Sequence, residues 1–197
     1  MSKRSAKCLA TCFLVALLAA ACGPGQVEHA FVFPEASELP EFELIDQDGN
    51  EFGRDALAGQ WDVLFFGFTH CPDICPMTLQ LLATARQKML DAGQDPVPRI
   101  VLVSVDPDRD TPELLKKYTQ HFGDDVIGLT GEPDQLVALT KAVGVYFQRE
   151  GDDDENYNVA HGAHVIVIDP AGRYASVFSP PHSVDAFVHD MPILMTP

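Results

Sequence analysis

Apolar residues along this chain come in short runs separated by helical patterns. Val63 to Phe68 is apolar at nearly every position, and with Asp62 it predicts a buried strand, 62–68. Arg99 to Val105 reads the same way, as a strand with helices over both faces. Between them, Leu79, Leu82, Met89 and Leu90 recur at helical spacing within Met77 to Leu90. Pro76 suits the first turn of that helix, whose N–H groups lack partners anyway. Asp110-Thr-Pro-Glu113 is a helix start, with Asp110 or Thr111 to cap it and Pro112 to open it. That helix should run to about Phe122 and stop at Gly123. A short strand at 126–129, a helix at 132–143 and an extended piece at 145–149 follow. Residues 163–168 and 174–178 predict a hairpin across the turn at 169–172, and Ser183 can cap a last helix, 184–191. Upstream, Phe42 to Ile45 is a short strand, and Asp48-Gly49 predicts a hairpin with the residues after it. The alternation predicts an α/β fold, a mixed sheet flanked by helices with an N-terminal hairpin extension.

The first residues follow a different pattern. Lys3, Arg4 and Lys7 precede an apolar stretch, Cys8 to Ala21, of signal-peptide length and short for a membrane span. It ends Leu18-Ala-Ala-Ala-Cys22-Gly. Small residues just ahead of a cysteine look like a bacterial lipoprotein cleavage site. The expectation is a signal over residues 1–21, lipid on Cys22, a tether over 22–37 and one domain over 38–197. That domain would be tethered to the membrane and face the periplasm or cell exterior. An ordinary secretory signal, or an uncut anchor, is the alternative. Losing the three basic residues takes the formal charge from −16 to −19, a poor balance for binding nucleic acid or anionic membrane surfaces.

Of five cysteines, this leaves Cys71 and Cys75 as thiols in the exported domain. They fall in the turn between a buried strand and a helix start, the thioredoxin-like placement. The positive end of a helix favours thiolate there, the form that attacks disulfides and binds soft metals. A structural disulfide or a pair of core cysteines is the bland alternative. Disulfide-exchange enzymes usually carry two residues between the cysteines, whereas here there are three. Cysteines four apart at a helix start lie on one face, where they can form a disulfide or chelate one metal. Two sulfur ligands favour Cu(I), with zinc possible, and leave room for a third donor. His70 adjoins Cys71, and His161 and His164 lie at the entry to the strand at 163–168; spacing does not choose among them. Asp73 fits a role in shaping the turn. Asp106, at the end of a strand where active sites gather, can bond the cysteine loop, cap the next helix or fix a turn.

Gly67-Phe-Thr-His-Cys-Pro-Asp-Ile-Cys-Pro76 resembles the signature of the Sco/SenC family of copper-binding, thioredoxin-fold proteins. Ser104-Val-Asp-Pro-Asp-Arg-Asp-Thr-Pro112 resembles that family's second block, and Tyr157-Asn-Val-Ala-His161 its third. Ala160 stands where the family usually has Asp. The resemblance implies copper, as Cu(I) or Cu(II), bound by Cys71, Cys75 and His161. It also implies delivery to the CuA centre in the copper-receiving subunit of a haem–copper oxidase, with another periplasmic copper carrier as a further partner. The alternatives are a thiol–disulfide oxidoreductase that uses Cys71 and Cys75 to keep oxidase cysteines reduced, and a redox or copper sensor.

Overall fold

A computed structural model describes residues 25–151, 153 and 157–196. The expected signal and Cys22 lie outside the described residues, as does most of the acidic run at 152–155. Eight strands form one sheet in the order β1-β10-β9-β4-β5-β6-β2-β3. Its centre is β4 (Asp62–Gly67), parallel to β5 (Arg99–Ser104), which is parallel to β6 (Ile127–Thr130). Every residue of β4 is buried, as its unbroken apolar run requires. On its other side β9 (Val165–Ile168) runs antiparallel, followed by β10 (Arg173–Phe178). The hairpin β2 (Glu43–Asp46) and β3 (Glu51–Gly53) extends the sheet beyond β6. This is the mixed sheet that the hydrophobic pattern predicts, carrying the expected hairpin.

The helices are α1 (Ile74–Asp91), α2 (Pro112–Thr119), α3 (Pro133–Ala142) and α4 (Val184–Leu194). Thr111 caps α2 by accepting from the Leu114 N–H at 3.3 Å, and Ser183 caps α4 by accepting from the Ala186 N–H at 3.1 Å. Helix α1 begins at Ile74, two residues before Pro76, the residue expected to open it. Pro76 fits because the N–H it lacks is one the first turn leaves unpaired. Cys75 therefore belongs to the helix's first turn, while Cys71 remains in the loop.

Two elements depart from the sequence reading. The stretch expected to be a tether contains β1 (Ala30–Glu38), an edge strand antiparallel to β10. Pro34 interrupts its apolar run, which is tolerated at an edge where one row of N–H groups has no partner strand; the register shifts between Val32 and Ser37. The segment before residue 163, expected as loop, contains β8 (Asn158–His161). It pairs with β7 (Phe147–Glu150) in a separate two-stranded ribbon.

Candidate metal centre

The loop from β4 to α1 carries Cys71 and the first turn of α1 carries Cys75. Cys75 is fully buried and Cys71 is 9% exposed; both are free thiols. The Cys75 N–H points at Cys71 Sγ, 3.4 Å away. Gly67 makes room for the pair: a Cβ there would come within 3.0 Å of Cys75 Sγ and of the Phe65 ring.

The third candidate arrives from the ribbon. His161 ends β8, and its Nε2 lies 3.4 Å from Cys75 Sγ. Its ring stands edge-on to Phe65 and Phe68, with centroids 6.1 and 5.8 Å away. Nδ1 is 3.1 Å from the Gly162 carbonyl. A carbonyl only accepts, so Nδ1 carries the proton and the Nε2 lone pair faces the sulfurs. Ala160 provides no carboxylate to orient the ring; a backbone oxygen supplies that contact. One ligating atom from each of Cys71, Cys75 and His161 lies within 4.8 Å of the others.

The two thiols are electrostatically unequal. The hydrogen bond from Cys75, helped by the N–H groups of Asp73 and Cys75, outweighs burial and holds the Cys71 thiol down at about 4. Cys75 is pushed well above the usual thiol range, first by donating to Cys71 and then by burial. The resting pair is a Cys71 thiolate stabilised by a Cys75 thiol, beside the positive end of α1.

The remaining candidates stand apart from this cluster. His70 is exposed, with Nδ1 3.0 Å from the Thr69 hydroxyl. His164 does not join the two sulfurs; the next loop residue before it, Ala163, accepts through its carbonyl from His182 Nε2 at 2.6 Å. Asp73 occupies the N-cap position of α1 without a side-chain cap bond. Asp106 does not cap a helix. Its carboxylate accepts from the Tyr157 hydroxyl at 2.5 Å and from Arg109 Nε at 2.6 Å. Arg109 also donates to the Tyr157 carbonyl at 3.1 Å and stacks on the Tyr157 ring, 3.6 Å from its centroid. Asp106 thus ties down the entry to β8.

Asp110 bonds the cysteine loop, the role first considered for Asp106. It is fully buried and accepts from the Thr69 N–H at 3.0 Å, the Thr69 hydroxyl at 2.6 Å and the Ser104 hydroxyl at 2.7 Å. Its reach to Thr69 spans 41 positions and leaves no periodic trace. The Asp-Thr-Pro sequence signals only a helix start, and Thr111 alone does the capping.

Residues 34–196 match the model of the SCO1/SenC family. The SCO2-like protein of Rickettsia felis is 41% identical over 140 residues, 70% of this chain and 67% of that protein. The mitochondrial protein SCO1 homolog 1 of Arabidopsis thaliana is 38% identical over 146 residues, 74% of this chain but only 43% of that protein's length. Among solved structures, Arabidopsis thaliana ScoI with copper bound superposes with a TM-score of 0.73 at 34% identity, covering 79% of this chain and 96% of that one.

Proposed function

Since the chain belongs to the SCO1/SenC family, we propose that it is a copper metallochaperone that carries the ion on Cys71, Cys75 and His161 and delivers it to the CuA centre of a haem–copper oxidase. The observation that carries this reading is the convergence of two sulfurs and one imidazole nitrogen within 4.8 Å. Two soft ligands and one borderline ligand suit Cu(I). Solved relatives described as copper-bound include Arabidopsis ScoI and the ScoI of Bradyrhizobium japonicum.

Copper is cargo here, so the site must load and release. The Cys71 thiolate is ready to meet an incoming ion. Engaging Cys75 expels its proton, so loading Cu(I) on both sulfurs releases one proton. His161 completes the set from the ribbon and can leave first on transfer, after which partner thiols displace the cysteines in turn. The exposed apolar side chains of Ile74 and Met77, on the first turn of α1, offer the partner a surface beside the sulfurs. Lipid on Cys22 would hold the domain at the outer face of a membrane. A SCO1/SenC family lipoprotein of Bacillus anthracis, 28% identical, supports that reading. Mass spectrometry of the mature N-terminus tests it, with acylated Cys22 expected.

A second reading draws on the unequal thiols. A stabilised thiolate next to a protonated partner is also what a thiol–disulfide oxidoreductase needs. In that case the pair would cycle through a disulfide and keep the oxidase subunit's cysteines reduced.

A copper titration of the reduced protein against a competing Cu(I) chelator, with Cys71→Ala and His161→Ala beside it, separates the readings. One-to-one binding lost with Cys71→Ala and weakened roughly 10–100-fold by His161→Ala is expected. Absence of competitive binding, together with a readily cycling Cys71–Cys75 disulfide, would transfer the function to the oxidoreductase.

A further inference from the structure

We propose that the protein has a second metal site at the edge of the sheet, in which His29 and His189 bind a borderline divalent cation and Asp190 orients His189. The argument begins with Asp190, a fully buried carboxylate near the end of α4. Its Oδ1 accepts from the Glu28 N–H at 3.0 Å and from His189 Nδ1 at 2.7 Å. Its Oδ2 accepts from the N–H groups of His29 and Ala30, each at 2.7 Å. Those contacts use the acceptor capacity of a carboxylate, so Asp190 supports the site rather than ligating the metal.

Two consequences follow. The chain entering β1 is pinned to α4, which places His29 next to His189. In addition, a carboxylate that accepts from Nδ1 leaves the lone pair of His189 on Nε2. This carboxylate–histidine arrangement orients metal-ligating imidazoles and raises their basicity. The His189 side chain is 43% exposed, so an ion can reach the ring from solvent. The two rings are nearly perpendicular, with centroids 5.8 Å apart. Imidazole nitrogens bind zinc at about 2.0–2.1 Å, which puts the centroids of two rings on one ion roughly 5–6 Å apart. One ligand-type atom from each of His29, His189 and Asp190 lies within 4.8 Å of the others, so both imidazoles flank the carboxylate that orients one of them. The exposed carboxylate of Glu28, next to His29 in the chain, can complete the set.

Two imidazoles with a nearby carboxylate suit Cu(II) or Zn(II), unlike the sulfur-rich centre. The sites are neighbours. Ala30 pairs with Phe178, Phe178 with Val165, and Val165 with Phe65. Three strand spacings, about 14 Å, separate the ends of that row. β1 runs opposite to β4, so the start of β1 and the cysteine loop emerge from the same end of the sheet. A metal here would clamp the segment that leads toward the N-terminus onto α4, beside the copper centre.

The test uses the full chain carrying Cys71→Ser and Cys75→Ser, which silences the sulfur site. Titration with Cu(II), followed by electron paramagnetic resonance, should give one bound equivalent with nitrogen hyperfine structure from two imidazoles. Adding His29→Gln or His189→Gln should weaken binding at least ~10-fold, whereas adding His161→Ala should not. His29→Gln should leave the metal-free melting temperature unchanged, His189→Gln should lower it modestly because it removes the Nδ1 bond to buried Asp190, and neither should change Cu(I) binding at the intact sulfur site. Failure to bind Cu(II), binding indifferent to His29 and His189, or nitrogen signals lost only with His161→Ala would overturn the proposal.

Discussion

The two halves of the sulfur–imidazole centre are built to different standards of rigidity. The cysteine half grows out of the central strand β4 and the first turn of α1, with a buried carboxylate holding its loop. The histidine half comes from a two-stranded ribbon outside the main sheet, whose β7 is largely exposed. Yet one connection serves both. The loop between β5 and α2 carries Asp110, which grips Thr69 before the cysteines, and Asp106, which grips Tyr157 before the histidine. The difference suits a carrier. Two of the candidate ligands are prearranged by the core, so little ordering is needed to bind, and the third comes from a half-exposed ribbon outside the main sheet, so it can be withdrawn.

The largest effect should come from removing the carboxylate that anchors the rigid half. Asp110→Ala takes the acceptor from the buried Ser104 hydroxyl and from the half-buried N–H and hydroxyl of Thr69. Stranding a buried polar group costs about 1–3 kcal/mol, so a total loss near 3 kcal/mol is expected, read as a lower urea midpoint. Copper affinity should fall too, as the loop carrying Cys71 loosens. Asp110→Asn, which keeps the shape and one acceptor, should do less on both counts. Unchanged copper binding in Asp110→Ala would mean that the cysteine half owes nothing to this anchor.

The next effect concerns the charge on the rigid half. In the folded protein Cys71 is held at about 4, with the hydrogen bond from Cys75 as the leading cause. The reduced protein should therefore show one thiolate by ultraviolet absorbance at neutral pH, lost as the pH falls through about 4. Its folded value lies below the unfolded one, so its stabilising contribution is fully present above about pH 9 and fades as pH drops toward 4. Cys75 has the opposite sign: its folded value is raised, so its contribution is lost as the pH climbs past the ordinary thiol value of 9.0. The contribution of this pair should thus grow from pH 4 to 9 and shrink above, so Cys71→Ala with Cys75→Ala should flatten that part of the stability profile. Cys75→Ala should move the midpoint of the remaining thiol upward by more than one unit. A midpoint that stays near 4 would assign the shift to the helix terminus and its N–H groups instead.

These two regions also differ in how much of them a sequence displays. The cysteine half was legible because its parts are contiguous: an apolar strand, a loop and a helix within 30 residues of chain. Fold class followed from the same local patterns. His161 was not selected by spacing; the resemblance of Tyr157 to His161 to a family block singled it out. β8 was hidden because it has four residues and pairs outside the main sheet. β1 was hidden because Pro34 divides its apolar residues and because its anchor, Asp190, is 160 positions distant from Ala30. Asp110 was visible only as a helix start. What escaped in each case is a contact between segments far apart in sequence, whose energy lies in hydrogen bonds that carry no period.

The smallest expected effect tests the loosely held half. Tyr157→Phe deletes one hydroxyl and with it the bond to Asp106, while Arg109 keeps its own bond to the Tyr157 carbonyl and its place on the ring. Removing a single hydrogen bond to a charged group costs about 1.5–3 kcal/mol at most, and the carboxylate retains Arg109, so a global loss near 1 kcal/mol is expected. The more telling readout is kinetic. A looser entry to β8 should make His161 leave sooner, so Cu(I) should pass to a competing chelator several-fold faster in Tyr157→Phe than in the unaltered protein. His161→Ala should transfer at least as fast, and the double variant should match His161→Ala alone, because Tyr157 would act only through the histidine. If Tyr157→Phe accelerates transfer even without His161, the latch must act on the cysteine half, and the division of the centre into a fixed part and a removable part fails.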